Sequence, residues 1–215
     1  MSRIIIVDDH PLFRAALRQT LAGVDTGTRV EEACDLAALS AALEADRDCD
    51  LVLLDLNMPG AHGFSGLLLL RAQYPEVPVM IISAVEDPKV IRRTFELGAA
   101  GYLPKSVGPA DIRAAIDTVL RGEVSVPDGV SLGADDEQSA FARRLSTLTP
   151  QQIRVLMMLS DGLMNKQIAY ELSISEATVK AHVSSILQKL DVDSRTQAVI
   201  AASRIEQGQF EALLP

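Results

Sequence analysis

The chain has no tryptophan, two cysteines and only 4% aromatic residues in 215 positions. Cys34 and Cys49 form no CxxC pair, so neither a disulfide framework nor a thiolate zinc site is expected, and the pair suits a reducing compartment. The three histidines, His10, His62 and His182, are scattered and have no metal-binding spacing. Long apolar runs are missing too. Stretches such as "LVLL" at 51–54 and "VMII" at 79–82 fall far short of the roughly 20 residues that cross a bilayer. The chain passes from "MSR" straight into a strand-like run, with no signal-peptide pattern. A cytoplasmic protein with no membrane partner is therefore expected. Positive charge is scarce as well. The net charge is −9, which at first argues against a nucleic-acid partner. The distribution qualifies this. Residues 1–125 hold 12 Lys and Arg against 18 Asp and Glu, whereas residues 146–215 hold 6 against 7 and are nearly neutral.

What is present is a regular alternation. "RIIIVD" (3–8), "LVLLD" (51–55) and "PVMIIS" (78–83) are short continuous apolar runs, the pattern of strands buried on both faces. "TRVEEA" (28–33) reads as a weaker edge strand and "GYLP" (101–104) as a short one. Helical patterns fill the intervals at 12–21, 36–45, 64–74, 88–97 and 109–121. Five β/α units in about 120 residues predict an α/β fold with a doubly wound parallel sheet, helices on both faces and right-handed crossovers. Residues 122–146 change character, with Gly122, Pro127, Gly129, Gly133 and an acidic "DDEQ" (135–138). They read as a linker with a short helix near Phe141–Leu145. Everything after is helical. Thr149, Pro150 and Gln152 make a capping-box start, Asn165, Ser175 and Ser194 are placed to cap three further helices, and "SIS" (173–175) is a compact turn. The expected division is 1–121, a linker at 122–146, and an all-α four-helix domain at 147–215.

Open parallel sheets bind ligands at the carboxyl ends of their strands, where strand order reverses. Asp8 and Asp9 end the first strand, Asp55 the third and Ser83 the fourth, and Lys105 follows the fifth. With order 2-1-3-4-5 all five converge on one edge. Three carboxylates together need a cation, and Mg²⁺ suits oxygen ligands while keeping positions open for phosphate. Phosphoryl transfer then requires an oxygen nucleophile, for which Asp55 is placed, and partners for the phosphoryl oxygens, for which Lys105 and the Ser83 hydroxyl are placed. Singly, each residue has a plainer reading as a turn aspartate, a helix cap or a solvated lysine.

The strings "IIIVDDHPLFR", "LVLLDLNMPG", "ISA" and "GAAGYLPKS" resemble the receiver domain of two-component response regulators, of the NarL/FixJ type that carries a LuxR-type output domain. The resemblance covers about 1–121. It implies a flavodoxin-like receiver with Asp55 as phosphoacceptor, and with Asp8, Asp9, Asp55 and the Asn57 backbone carbonyl as Mg²⁺ ligands. Ser83 and Lys105 are implied as the phosphate-sensing hydroxyl and lysine. Tyr102 matches the switch aromatic, its other reading being an ordinary edge-strand tyrosine. Met58, Pro59 and Gly60 resemble the loop that shapes the site, and His10 resembles the family's usual residue there, not a phosphorylated histidine. Ser106 follows Lys105 where many receivers have proline, so no cis bond is expected there.

In the C-terminal part, Val179, Val183, Ile186, Leu187 and Leu190 form one apolar stripe. The opposite side carries Lys180, Ala181, Ser184, Ser185 and Gln188, small and polar enough to enter a major groove. Thr178, His182 and Lys166 are placed to reach phosphates. The stretch 147–205, with "NKQIA", "TVKAHV" and "LDVDSRTQA", resembles the LuxR-type DNA-binding domain. It departs from that family at Gln152, commonly Glu, at Ile153, often Arg, and at Ser184 and Ser185, one of which is often Lys or Arg.

The resemblance implies a response regulator phosphorylated on Asp55 by a sensor histidine kinase, with an output domain masked by the receiver until then. The released protein is then expected to bind double-stranded promoter DNA as a homodimer, with the fourth helix (194–204) as the contact; its Ala198, Ala201 and Ala202 permit close approach, their other reading being local packing. Such a protein is not an enzyme beyond its own phosphorylation and dephosphorylation. The near-neutral output domain motivates one alternative, a phosphorylation-dependent protein-interaction module with weak or no DNA binding. A small phosphatase using the carboxylate edge is a further one, but no substrate pocket is evident.

Overall fold

The structure, a computed structural model, describes residues 2–22, 28–58, 61–132 and 137–207. Its first half is a parallel sheet of β1 (Arg3–Val7), β2 (Arg29–Ala33), β3 (Leu51–Asp55), β6 (Val79–Ser83) and β7 (Gly101–Pro104) in the order β2-β1-β3-β6-β7. This is the expected 2-1-3-4-5 order, because the two additional strands lie in a separate hairpin. β4 (Asn57–Met58) and β5 (Ala61–His62) pair antiparallel directly after β3. From sequence this stretch is expected to be a loop. Two residues per strand are too few to show a period. Pro59 and Gly60, expected to shape the site, lie outside the described residues.

The alternation of the pleat sorts the buried strands onto two faces. Ile4 and Ile6 of β1, with Leu51 and Leu53 of β3, pack among Leu17 and Leu21 of α1 (Pro11–Leu21) and Ile112 and Ile116 of α5 (Pro109–Leu120). Ile5, Val7, Val52 and Leu54 face the other way, toward α2 (Leu36–Ala45), α3 (Ser65–Gln73) and α4 (Pro88–Glu96). α4 stops where expected. Gly98, at φ +92, takes the left-handed position, and its N–H and that of Ala99 bond back to Phe95 and Thr94 carbonyls.

The chain after α5 stays attached to the sheet. Ser125 bridges in parallel to Gly101, its carbonyl accepting from Tyr102 N–H at 3.1 Å and its N–H donating to the Ala100 carbonyl at 3.1 Å. Farther on, the Ser131 carbonyl accepts from Arg92 Nε of α4 at 3.1 Å. Residues expected to be mostly linker then form α6 (Glu137–Leu145), which packs against α4 and buries Ala142 and Leu145.

The C-terminal helices are α7 (Pro150–Ser160), α8 (Asn165–Glu171), α9 (Glu176–Leu190) and α10 (Arg195–Gln207). Thr149 and Gln152 form the expected capping box, and Ser175 and Ser194 accept from N–H groups one turn on. Asn165 does not cap α8. Met164 is the N-cap, with Gln167 Oε1 reaching back to its N–H, while the Asn165 side chain accepts from Arg195 at 3.0 Å. A residue one position inside the helix is drawn to a tertiary partner instead.

Candidate functional site

The parallel register puts the ends of four strands on one line. Val7 pairs with Leu54, Asp55 with Ile82, and Ser83 with Pro104. Asp8, Asp55, Ser83 and Lys105 therefore meet by backbone geometry alone. Asp8 and Asp55 are 2% and 3% exposed. Lys105 Nζ lies 2.7 Å from Asp8 Oδ2 and 2.9 Å from Asp55 Oδ2. Its ammonium also stands 4.7 Å from the centre of the Phe13 ring, a cation–π contact from α1. The Lys105 N–H donates to the Ser83 carbonyl at 2.8 Å, so β6 fixes where the lysine leaves the sheet. Arg14 Nη1 in turn holds the Asp8 carbonyl at 2.6 Å.

Electrostatics at this edge are set by burial against pairing. Burial pushes the Asp55 carboxyl above the ordinary carboxylate range, with Lys105 working against it and Asp8 adding to it. For Lys105 burial disfavours the ammonium, but the bonds to Asp8 and Asp55 together outweigh it and raise its pKa. Asp55 Oδ1 accepts from the Asn57 N–H at 3.3 Å, which brings the first residue of β4 against this carboxylate.

The carboxylates suit a cation. Asp8 Oδ2 and Asp9 Oδ1 are buried oxygens that face Lys105 Nζ and His10 Nδ1, each at 2.7 Å. The ligand atoms of Asp8, Asp9, His10 and Asp55 all fall within 4.8 Å of one another, a spacing one ion can bridge. His10 was not expected in this group. Its signal, adjacency to the acidic pair, was legible, but its direction depends on the turn into α1.

Ser83 is fully buried and its Oγ accepts from Val85 N–H at 3.2 Å. Tyr102 is 1% exposed, with its hydroxyl donating to the Val85 carbonyl at 2.5 Å. Burial pushes its pKa up to about 12, the Ser83 hydroxyl opposing. Although β7 is an edge strand, the ring is thus held inward beside Ser83. Phe13, Val85 and Ser125 complete these contacts, and none was singled out from sequence, since each acts through tertiary position.

The second site is the helix-turn-helix. Ser173, at φ +53, turns the chain between α8 and α9, and Ile174 N–H returns to the Ala169 carbonyl. Val179, Ile186 and Leu190 are fully buried, with Val183 and Leu187 beside them, as the stripe predicts. Thr178, Lys180, Ala181 and Ser184 are exposed, as is Lys166 on α8, and His182 is half-buried. Ser185 is not free for a groove, because its hydroxyl accepts from Gln152 Nε2 at 2.8 Å. Lys180 pairs with Glu176 at 3.0 Å. Lys189 points inward, donating to the Thr147 carbonyl at 2.7 Å and Gln152 Oε1 at 2.9 Å.

Among the described residues, the receiver half leaves Lys166, Thr178, Lys180, Ala181 and Ser184 exposed. α7 packs on α3, with Arg154 reaching Gln73 at 3.5 Å. A cleft of about 240 Å³ remains between them, lined by Leu68, Arg71, Leu97, Ser146 and Ile153. The expected masking of the recognition helix is thus not the arrangement seen. Ile153, where the LuxR-type family often has arginine, offers an apolar surface to the receiver. The side chains of Ala201, Ala202 and His62 lie outside what is described.

Residues 4–117 match the family model described as response regulator receiver domain, and residues 146–202 match bacterial regulatory proteins, luxR family. The glycerol metabolism activator of Pseudomonas putida is 44% identical over 215 residues, covering 96% of this chain and 97% of that one. The nitrate/nitrite response regulator protein NarL of Escherichia coli is 32% identical over 203 residues, covering 92% and 93%. Among solved structures, a LuxR family DNA-binding response regulator from Silicibacter pomeroyi is 37% identical with a TM-score of 0.54, covering 60% of this chain and 98% of that one. With both halves matched in order, the chain belongs to the transcriptional response regulators that join a receiver domain to a LuxR-type DNA-binding domain.

Proposed function

We propose that Asp55 is the phosphoacceptor and that its modification by a sensor histidine kinase sets the DNA affinity of the output domain. The observation that carries this is the pairing of buried Asp55 with Lys105 and its closeness to Asp8 at one strand edge. A carboxylate oxygen of Asp55 attacks the phosphorus of a phosphohistidine, the P–N bond breaks, and the imidazole leaves with its electron pair. Lys105 is already within reach of the carboxylate and pairs with a phosphoryl oxygen as charge develops. Asp8, Asp9, Asp55 and the Asn57 carbonyl would hold Mg²⁺, which when bound neutralises the phosphoryl oxygens.

Ser83 is the hydroxyl that turns toward the new phosphoryl group. Tyr102 follows, because both residues share Val85 as partner. The displacement has a path outward. Tyr102 N–H is bonded to Ser125 at the start of the linker, and α4 is bonded to Ser131 farther along it. In this reading residues 1–121 are the receiver, 122–146 the linker and 147–215 the output domain. Lys166, Thr178, Lys180, Ala181, His182 and Ser184 form the DNA surface. A homodimer in the cytoplasm joins two weak half-site contacts on promoter DNA.

The test is intact-mass measurement after incubation with a small acyl phosphate and Mg²⁺. The wild type gains one phosphoryl group and Asp55→Asn gains none. Undiminished incorporation in Asp55→Asn overturns the assignment. Gel shifts at one salt concentration then compare the two forms, and equal affinity refutes the switch. Genome-wide crosslinking that enriched no DNA site would favour the interaction-module reading.

A further inference from the structure

We infer that the receiver grips the output domain from behind, through α6 and α7, so that the state of Asp55 steers the recognition helix α9 and does not uncover it. The inference rests on Asp55 as the phosphoacceptor and on the exposed side of α9 as the DNA surface. Helix α7 is engaged on two sides. Gln152 Nε2 donates to the Ser185 hydroxyl at 2.8 Å, and Gln152 Oε1 receives Lys189 Nζ at 2.9 Å, both partners lying on α9. One residue on, and about 100° farther round the helix, Ile153 is 3% exposed and lines the cleft with Leu68 of α3 and Leu97 at the end of α4. Arg154 reaches Gln73 of α3 at 3.5 Å.

Helix α6 makes the same bridge by a separate route. It packs on α4 and on α9. Its Arg144 donates to the Leu190 carbonyl at 3.5 Å and pairs with Asp191 at 3.2 Å, at the last turn of α9. Two helices therefore each touch the receiver on one side and the recognition helix on the other. Meanwhile Thr178, Lys180, Ala181 and Ser184 stay exposed. A mask would cover those residues, whereas this grip fixes only where α9 points. Arg92 ties α4 to Ser131 of the linker at 3.1 Å, so a shift of α4 reaches α9 through α6. Paired half-sites demand a set spacing and orientation of two recognition helices. The grip thus governs how two output domains pair, and leaves the contact of one domain with DNA unregulated.

The experiment measures binding of the full-length chain, at one salt concentration, to two duplexes. One is of random sequence and long enough for one output domain; the other is a longer duplex recovered by crosslinking the wild type. Ile153→Gln makes the buried seat polar without changing net charge. It is expected to raise the radius of gyration in small-angle scattering and to leave the unphosphorylated protein's affinity for the short duplex unchanged. The gain in affinity for the long duplex on phosphorylation is expected to fall about fivefold. A mask would lower affinity by the fraction of open molecules, so opening it would raise short-duplex binding about tenfold or more, and that rise overturns the inference. An unchanged radius, or an undiminished response in an opened variant, overturns it too. The converse variant carries Gln73→Cys and Arg154→Cys in a Cys34→Ser, Cys49→Ser background, joined by a short bismaleimide. It is expected to bind the short duplex equally before and after linking, and loss of binding on linking overturns the inference. A wild type that binds neither duplex, or gains nothing on phosphorylation, overturns the proposed function and this inference together.

Discussion

Lysines serve the two domains under different physical conditions. Lys105 in the receiver is 19% exposed and sits between two carboxylates that are each 2% exposed at the side chain. Lys180 in the output domain is 65% exposed and pairs with Glu176, itself 48% exposed. In the first setting water is largely excluded, charges couple strongly, and removing one leaves the others uncompensated. In the second, water and salt screen each contact, so function is a sum of small contributions. One side chain can therefore be decisive at the strand edge, whereas an exposed helix face such as that of α9 depends on several groups together.

The sharpest test of this contrast is Lys105→Ala. It is expected to destabilise the metal-free receiver by about 3 kcal/mol, seen as a lower urea midpoint. Added Mg²⁺ should restore most of the loss, because a divalent ion replaces the missing positive charge. Failure of Mg²⁺ to restore it would mean that Lys105 acts through packing on Phe13. On the other side, Lys180→Ala should weaken DNA binding by roughly 1 kcal/mol and reduce the salt slope by about one. Glu176→Gln should change affinity in the opposite direction by less, since it releases Lys180 from an exposed pair. A salt slope unchanged in Lys180→Ala would remove that lysine from the phosphate contacts.

Within the receiver, Tyr102→Phe deletes a buried hydroxyl donor to Val85. A loss of about 1 kcal/mol in unfolding free energy is expected, with phosphorylation at Asp55 retained and the DNA response to it reduced. The smallest effect concerns Glu31. Its bond to Arg3 holds the carboxyl below the ordinary carboxylate range, partly opposed by burial. A lowered folded pKa stabilises the protein above the unfolded value, and the contribution is lost as pH falls through the folded one. Glu31→Gln should therefore cost about 1 kcal/mol or less at pH 7. Its urea midpoint should converge with that of the wild type on acidification below roughly pH 4.

The sequence made the strand edge legible for a simple reason. A buried parallel strand announces itself by a short apolar run, and the residue after it must stand at the carboxyl end. That rule places Asp8, Asp55, Ser83 and Lys105 from sequence alone. The apolar stripe of α9 was legible for the same kind of reason, as a period of 3.6. What escaped depends on pairings between distant segments. Ser125 returns to the sheet edge through backbone bonds that any residue could make. Phe13 lies under Lys105 only once α1 is docked. Ser185, read as groove-facing, is drawn to Gln152 across 33 positions. The apolar Ile153 departs visibly from the LuxR-type pattern, but its place beside the receiver follows from domain packing alone.

Gln152 has a consequence for approach to DNA that goes beyond capping. Its amide oxygen receives Lys189 at 2.9 Å and the Thr149 N–H at 3.0 Å. A glutamate there would neutralise the lysine. The amide holds the same ammonium by a neutral acceptor, so its full unit of charge continues to contribute to the field outside the domain. Long-range attraction depends on net charge and not on whether a cation touches the partner. The inward-facing Lys189 thus helps draw the polyanion in. A domain with few exposed cations is in this way one charge more positive to an approaching duplex than it would be with glutamate at position 152.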